Sequence, residues 1–312
     1  VTDGEVVSGL NFNAIANSTL GMTHSMVDVS GIDHDGDGIT NRIYAGDLGG
    51  NIFAFKDDEA MSFCSGTLSK SIPDGIWSAH KLFSASGVDG VQRKILYAPD
   101  VVGEEFGEYI FFGTGDRTDP ADTGVVNRFY AVKNDWSGAA TLDESYLVDV
   151  TDDLIQLGSE AEKQAVKTSL ENGKGWFIRL ENTGEKVVAS PRVYGGVVYF
   201  TTYTPDTAGP DGSDPCAAST VRGVGRLYAV DYKTGASVSD FSTGIEYDGD
   251  GNVVDLGKKD RAIAIGTAIP SAPVIAIFEN GARIFIGVEG GIVSMPAIVT
   301  PDMYRYYWHQ MF

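Results

Sequence analysis

One acidic loop carries the clearest chemistry in this chain, Asp33-His34-Asp35-Gly36-Asp37-Gly38-Ile39-Thr40-Asn41. Carboxylates stand at its first, third and fifth positions, a glycine at its sixth, and an amide at its ninth. Calcium takes about six to eight oxygen ligands, and a loop with an oxygen-bearing side chain at every second residue can wrap such an ion. The spacing therefore predicts a calcium site with these ligands: Asp33, Asp35, Asp37, the Ile39 carbonyl and Asn41.

The loop differs from an EF-hand at its end and at its flanks. Where an EF-hand has a bidentate glutamate at the twelfth position, this chain has Tyr44. Residues 23–29 and 42–47 have the pattern of strands, so we expect the loop to join two strands of a sheet. A saturated oxygen cage indicates a structural or regulatory ion. The alternative is an acidic, glycine-rich hairpin turn that holds no ion.

Composition limits the classes of function. The chain has 312 residues with 23 Lys plus Arg and 43 Asp plus Glu, which gives a formal charge of −20. Such a charge argues against nucleic acid and anionic membranes as partners, and it suits a secreted protein that binds a cation. No run of apolar residues is long enough to span a membrane. The 39 glycines and the many aromatic residues indicate short strands and frequent turns.

Cysteine and histidine usage gives little sign of catalysis. Cys64 and Cys216 can form one disulfide in an oxidising compartment, or they can be separate thiols or pair with another chain. The four histidines offer few bases, and no Gly-x-Ser-x-Gly elbow is present. We therefore expect that the protein is not an enzyme.

A two-strand unit recurs four times along the chain. In each copy a strand ending in small residues precedes a glycine-rich turn and a second strand rich in aromatic residues, alanine and valine. The second strands lie at 50–57, 127–135, 225–231 and 291–295, after first strands at 44–46, 110–115, 198–202 and 284–288. This unit is typical of the inner part of a β-propeller blade. We predict an all-β fold, a modified β-propeller with about four recognisable blades and a short inserted helix, either complete or part of a larger ring.

Insertions account for the long spacing between these units. Ser159 and Glu162 fit a capping box and Asn172 precedes a glycine, so a surface helix is predicted over 159–171. A long loop is predicted over 205–224, around Cys216. A second acidic run at 248–252 has no ninth-position ligand, which favours a hairpin tip over a second calcium site.

The order of these motifs resembles the C-terminal propeller of the PilY/PilC family of type IV pilus tip-associated adhesins. The similarity extends over most of residues 20–295. It is carried by the calcium loop with Ile43-Tyr44-Ala45-Gly46-Asp47-Leu48-Gly49-Gly50-Asn51-Ile52-Phe53, by Gly175-Trp176-Phe177-Ile178-Arg179-Leu180, by residues 184–188 and 198–205, and by Cys216 ahead of Gly225-Arg226-Leu227-Tyr228-Ala229-Val230-Asp231.

This resemblance implies display at a bacterial cell surface, at the pilus tip, and calcium control of pilus extension, retraction and attachment. It implies minor pilins and a host or abiotic surface ligand as partners, and it maps the calcium ligands onto the same five residues. The family more often has aspartate where this chain has Asn41. No Arg-Gly-Asp tripeptide occurs, so integrin binding has no support.

The family's propeller begins well before the calcium loop, which bears on the domain boundaries. We therefore expect residues 1–312 to be one propeller domain or its C-terminal portion. We also expect another polypeptide, an N-terminal fragment of the same precursor or another pilus-tip protein, to complete the ring. The aromatic stretch at 304–308 is either a last blade strand or a docking strand.

Two other classes share some of these features. A quinoprotein-like dehydrogenase is the main alternative, because residues 228–235 resemble its propeller repeat and such enzymes also hold calcium. Only one good copy of that repeat occurs, and the tryptophans are not periodic. An integrin-like calcium propeller would repeat the calcium loop in several blades, whereas this chain has one strong copy.

Overall fold

The chain folds into consecutive, mainly antiparallel sheets packed face to face. The structure is a computed structural model that describes residues 20–36, 38, 40–57, 77–104, 107–137, 140–206, 223–242 and 244–300. Four sheets carry the fold, and we name them blades 1 to 4 in chain order. Cys64, Cys216, the stretch at 304–308 and most of the predicted loop at 205–224 lie outside the described residues.

Blade 1 is a four-stranded meander in the order β1-β2-β3-β4. Its strands are β1 (Met26–Ile32), β2 (Arg42–Asp47), β3 (Asn51–Asp57) and β4 (Trp77–Ser84). The tight turn between β2 and β3 requires Gly50, whose φ is +81° and whose added Cβ would lie 2.4 Å from the Arg93 carbonyl oxygen. Successive side chains of β2 and β3 point to opposite faces of the blade, as in any strand, and both faces are buried.

Blade 2 contains the helical insertion. Its strands run in the order β5-β6-β7-β9-β8, with the short β8 parallel to β9. They are β5 (Asp100–Glu104), β6 (Gly107–Gly113), β7 (Arg128–Asn134), β8 (Val148–Asp149) and β9 (Gly175–Arg179). Two helices lie between β8 and β9, α1 (Leu154–Leu157) and α2 (Glu160–Asn172). The Glu162 carboxylate accepts the Ser159 backbone N–H at 2.8 Å, which caps α2 as its sequence predicts.

Blades 3 and 4 complete the described fold. Blade 3 consists of β10 (Lys186–Val187), β11 (Arg192–Tyr194), β12 (Val197–Thr204), β13 (Val224–Asp231) and β16 (Ala262–Gly266). A small hairpin, β14 (Glu246–Tyr247) and β15 (Val253–Val254), precedes β16, and its tip is the acidic run at 248–252. Blade 4 consists of β17 (Val274–Phe278), β18 (Gly281–Val288) and β19 (Gly291–Pro296).

The core lies in the junctions between neighbouring blades. The first junction packs Phe83 of blade 1 against Tyr130 of blade 2, with ring centroids 5.0 Å apart. The third packs Tyr199 of blade 3 among isoleucines of blade 4. One strand of each blade contacts the corresponding strand of the next, in the order β1, β5, β11 and β17, which is the arrangement of propeller blades around an axis.

The four predicted strand pairs are confirmed. The recurring units are β2–β3, β6–β7, β12–β13 and β18–β19. At least one further strand precedes each pair in its sheet. The predicted helix and the hairpin tip are confirmed as well. One face of blade 4 is exposed at Val274 and Ile292, and completion of the ring by another polypeptide stays a prediction.

Candidate metal centre

The acidic loop spans the end of the β1–β2 hairpin. Ile32 pairs with Arg42 as the last register pair, and the Asn41 N–H donates to the Ile32 carbonyl at 3.0 Å. The prediction that the loop joins two strands of a sheet is therefore confirmed. Asp33, Asp35 and Asn41 lie in the described part of the loop, and Asp37 and Ile39 lie outside the described residues.

The Asp33 carboxylate organises the turn. One carboxylate oxygen accepts the Gly36 N–H at 2.8 Å, and the other accepts the Gly38 N–H at 2.6 Å. Both glycines have positive φ angles, +77° and +87°, which L side chains rarely adopt. Two backbone N–H groups therefore fix the orientation of this carboxylate.

The Asn41 side chain closes the loop from its other end. Its Oδ1 accepts the backbone N–H of His34 at 2.9 Å. The side chains of Asp33, Asp35 and Asn41 can each offer an oxygen atom as a metal ligand, and calcium prefers such hard ligands. These residues consequently fit the predicted ion, which would draw the negative side chains together and offset their mutual repulsion.

A buried carboxylate of blade 2 lies against this loop. The Nδ1 of His34 is 3.0 Å from Oε1 of Glu108, and the Nε of Arg42 is 3.5 Å from the same oxygen. The Glu108 carboxylate is fully buried at the start of β6. Nothing in the sequence singles out Glu108, because a glutamate at a strand start reads as an exposed residue.

The other oxygen of Glu108 is held by two donors. Its Oε2 accepts the Tyr44 hydroxyl at 3.0 Å and the Trp136 indole N–H at 2.7 Å. The Asn134 amide donates to the Tyr44 hydroxyl at 3.0 Å. Burial, and then the charge of Glu108, raise the pKa of Tyr44 above its usual range. The Arg42 guanidinium lies 5.3 Å from the centre of the Trp136 ring, a cation–π distance.

The second acidic run is balanced by a lysine. Ligand atoms of Glu160, Asp248 and Asp250 lie within 4.8 Å of one another. The Lys163 ammonium contacts Asp248 at 3.0 Å and Glu160 at 3.1 Å. Asp248 also accepts the backbone N–H groups of Asp250 and Asn252, which is the geometry of a hairpin tip. This cluster therefore has a protein cation in it already.

Comparisons with known proteins identify the fold and the relatives. No protein-family model matches the chain. A protein of Xylella fastidiosa, named a type IV pilus biogenesis factor PilY1 homolog, is 25% identical over 251 residues, which is 75% of this chain and 15% of that protein. A second protein with the same name, from the same organism, is 25% identical over 274 residues, 85% of this chain and 20% of its own length. This chain therefore spans a small part of these relatives.

The structural comparison agrees with the sequence comparison. The crystal structure of the Pseudomonas aeruginosa PilY1 C-terminal domain superposes with a TM-score of 0.55 at 18% identity, covering 88% of this chain and 61% of that one. The fold is thus the β-propeller of the PilY1 C-terminal domain. The chain is homologous to the PilY1 homologs, type IV pilus biogenesis factors. Among the described residues, no helix is both long and apolar enough to cross a membrane.

Proposed function

We propose that this chain is the calcium-binding extracellular propeller of a type IV pilus tip-associated adhesin and biogenesis factor. In this proposal calcium regulates pilus extension and retraction and thereby surface attachment. Its partners are minor pilins at the pilus tip and a host or abiotic surface ligand. The homology to PilY1 homologs supports the pilus association, and the relatives' names are those of biogenesis factors rather than enzymes.

The loop between β1 and β2 carries the calcium part of the proposal. The Asp33 carboxylate is already oriented by two backbone N–H groups, and the Asn41 oxygen lies at the opposite end of the same turn. Asp33, Asp35, Asp37, the Ile39 carbonyl and Asn41 would hold the ion, with water completing its shell. A bound calcium ion would supply charge compensation and rigidity to the end of blade 1, with no step of catalysis.

Calorimetry tests the calcium site directly. Titration of calcium into the wild-type chain should give one binding event, and Asp35→Ala should abolish or strongly weaken it. Asp250→Ala is the matched control, because it removes a carboxylate from the other acidic run. Calcium binding that is unchanged in Asp35→Ala would refute the assignment.

A cellular experiment tests the pilus part separately. The parent protein carrying Asp33→Ala or Asp250→Ala is expressed in its own bacterium, and surface pili, pilus retraction events and attached cells are counted. We expect fewer retraction events or altered piliation for Asp33→Ala alone. If calcium binds in vitro and both variants behave as the wild type in cells, the regulatory role is wrong and the site is purely structural.

A further inference from the structure

We propose that His34 and Glu108 couple the calcium loop, residues 33–41, to the junction between blade 1 and blade 2. This inference rests on the proposed calcium function. It assigns a positioning role to two residues that are not ligands. Calcium binding at the end of blade 1 would then change how the first two blades are held together.

His34 is held at both of its ends. Its backbone N–H donates to the Oδ1 of Asn41 at 2.9 Å, and its imidazole Nδ1 lies 3.0 Å from Oε1 of Glu108. The imidazole is 29% exposed and covers a carboxylate that is fully buried. The orientation of the Asn41 amide, a candidate ligand, therefore depends on where blade 2 holds His34.

Glu108 is fixed by groups from both blades. Tyr44 of β2 in blade 1 and Trp136, which follows β7 in blade 2, both donate to its Oε2. A buried carboxylate that loses a partner is costly, so Glu108 and its two donors resist separate movement. A displacement of the loop that reaches Glu108 is consequently transmitted to the blade junction.

The contact between the loop and Glu108 is incompletely formed. Among the described residues, Oε1 of Glu108 and Nε of Arg42 make no hydrogen bond of good geometry, although both are buried. His34 and Arg42 approach this oxygen as ion-pair contacts at 3.0 and 3.5 Å. A cation that draws the loop ligands together would shift His34 and change this contact. In this proposal the calcium-bound and calcium-free loops would differ in how well they satisfy Glu108, which coupling between the two sites requires.

Calcium affinity tests the coupling through matched variants. His34→Ala removes the imidazole, His34→Asn keeps a donor near the position of Nδ1, and Glu108→Gln removes the charge. Because coupling energies between sites correspond to about a fivefold change or more, His34→Ala and Glu108→Gln should raise the calcium Kd at least about fivefold. His34→Asn should recover part of the loss.

Two control variants separate coupling from general destabilisation. Glu144→Gln alters another carboxylate of blade 2 that accepts a tyrosine hydroxyl, from Tyr130 at 2.6 Å, and pairs with an arginine. His24→Ala removes an imidazole whose Nδ1 lies 3.1 Å from the hydroxyl of the neighbouring Thr23. Both should keep the wild-type calcium Kd. An equal loss of affinity in Glu144→Gln would show a structural effect and overturn the proposal.

The NMR resonance of the Trp136 indole gives a measurement of the coupling that a change in stability alone does not alter. Its N–H donates to Glu108, so its ¹H–¹⁵N resonance, assigned with Trp136→Phe, should shift when calcium is added to the wild type. The Trp176 indole, which donates to the Tyr232 carbonyl at 3.1 Å, should not shift. At saturating calcium the Trp136 shift should be lost in His34→Ala.

The outcomes distinguish the two proposals. If the wild type binds no calcium, the proposed function fails and the coupling fails with it. If the wild type binds calcium while His34→Ala keeps both the Kd and the Trp136 shift, the coupling alone is wrong. If Glu108→Gln does not fold, the His34 variants decide the question, since His34 is partly exposed.

Discussion

Phe129 of blade 2 and Phe200 of blade 3 stack face to face across the second blade junction, with ring centroids 3.8 Å apart and planes inclined by 6°. Both rings are fully buried. Tyr228 continues the stack on the blade 3 side, 4.6 Å from Phe200. The alternation of each strand places these rings on the face that meets the next blade, so one stack joins residues far apart in the sequence.

Truncation of this stack should be among the most destabilising single changes in the chain. Phe200→Ala removes a fully buried ring and leaves a cavity between two blades, which costs about 3–5 kcal/mol in the free energy of unfolding. Phe278→Ala on blade 4 is the matched control, because the Phe278 side chain is 48% exposed. This substitution should lower the free energy of unfolding by well under half as much. Chemical denaturation of both variants measures the difference, and equal losses would contradict the central role of the junction.

Calcium should raise the melting temperature of the wild-type chain. A ligand that binds only the folded state stabilises it by RT ln(1 + [L]/Kd), about 2.7 kcal/mol at a hundredfold excess over Kd. Addition of a chelator should reverse the increase, and Asp33→Asn should have a melting temperature that is insensitive to both. A wild-type melting temperature that does not respond to the chelator would argue against a bound ion.

The strand pairs and the helix could be predicted from local sequence. The strands of each pair are rich in apolar and aromatic residues, and two of the pairs, β2–β3 and β18–β19, are joined by tight turns that contain Gly50 and Gly290, both with φ of +81°. The helix α2 has its capping box within four residues, at Ser159 and Glu162. Signals of this kind are contained in the segments themselves.

The outer strands and the surroundings of the loop depend on distant residues instead. The strand β16 pairs with β13 across the hairpin β14–β15, and the two-residue β8 is held by parallel pairing to β9. Glu108 is buried only because Tyr44 and Trp136 cover it from other elements. No local pattern carries such long-range pairings, so sequence reasoning found the loop and missed the carboxylate beside it.

The buried pair of Asp153 and Arg261 should give the protein a measurable pH dependence. The guanidinium lies 3.1 Å from the Asp153 carboxylate, which has no solvent exposure. Burial, partly offset by Arg261, raises the pKa of Asp153 to about 6. The pKa of an aspartate in an unfolded chain is about 3.9, so the folded state binds this proton more tightly. The stabilising contribution is therefore complete below about pH 4 and is lost as the pH rises through about 6.

Asp153→Asn isolates this contribution. Relative to the variant, the wild type should gain stability, on the order of 1–3 kcal/mol, as the pH falls from 7 to about 4. The control is Asp116→Asn, since contact with Lys94 and the Thr118 hydroxyl lowers the pKa of Asp116 to about 2 despite its partial burial. The difference in unfolding free energy between Asp116→Asn and the wild type should stay constant over the same pH range. Urea denaturation at each pH measures both, and parallel curves for wild type and Asp153→Asn would contradict the raised pKa.

Asp47 should be the most sensitive turn residue of blade 1. Its fully buried carboxylate accepts the Gly49 N–H at 2.8 Å, the Asn51 N–H at 2.9 Å and the Asn51 side-chain amide. Asp47→Ala leaves these donors without an acceptor in a buried turn, and each unsatisfied group costs about 1–3 kcal/mol. We therefore expect a loss of about 2–4 kcal/mol in unfolding free energy.

The matched control for this turn is Asp122→Ala. Asp122 also accepts a backbone N–H two residues later, from Gly124 at 2.9 Å, but this bond is exposed to water, which can replace the lost acceptor. Its loss should stay below about 1 kcal/mol. Asp47→Asn should lie between the two, because an amide oxygen can accept the Gly49 and Asn51 N–H groups but lacks the charge that strengthens them. If Asp47→Ala lowers the unfolding free energy no more than Asp122→Ala does, water reaches the turn and replaces the lost acceptor. Burial of the Asp47 carboxylate would then not explain its contribution to stability.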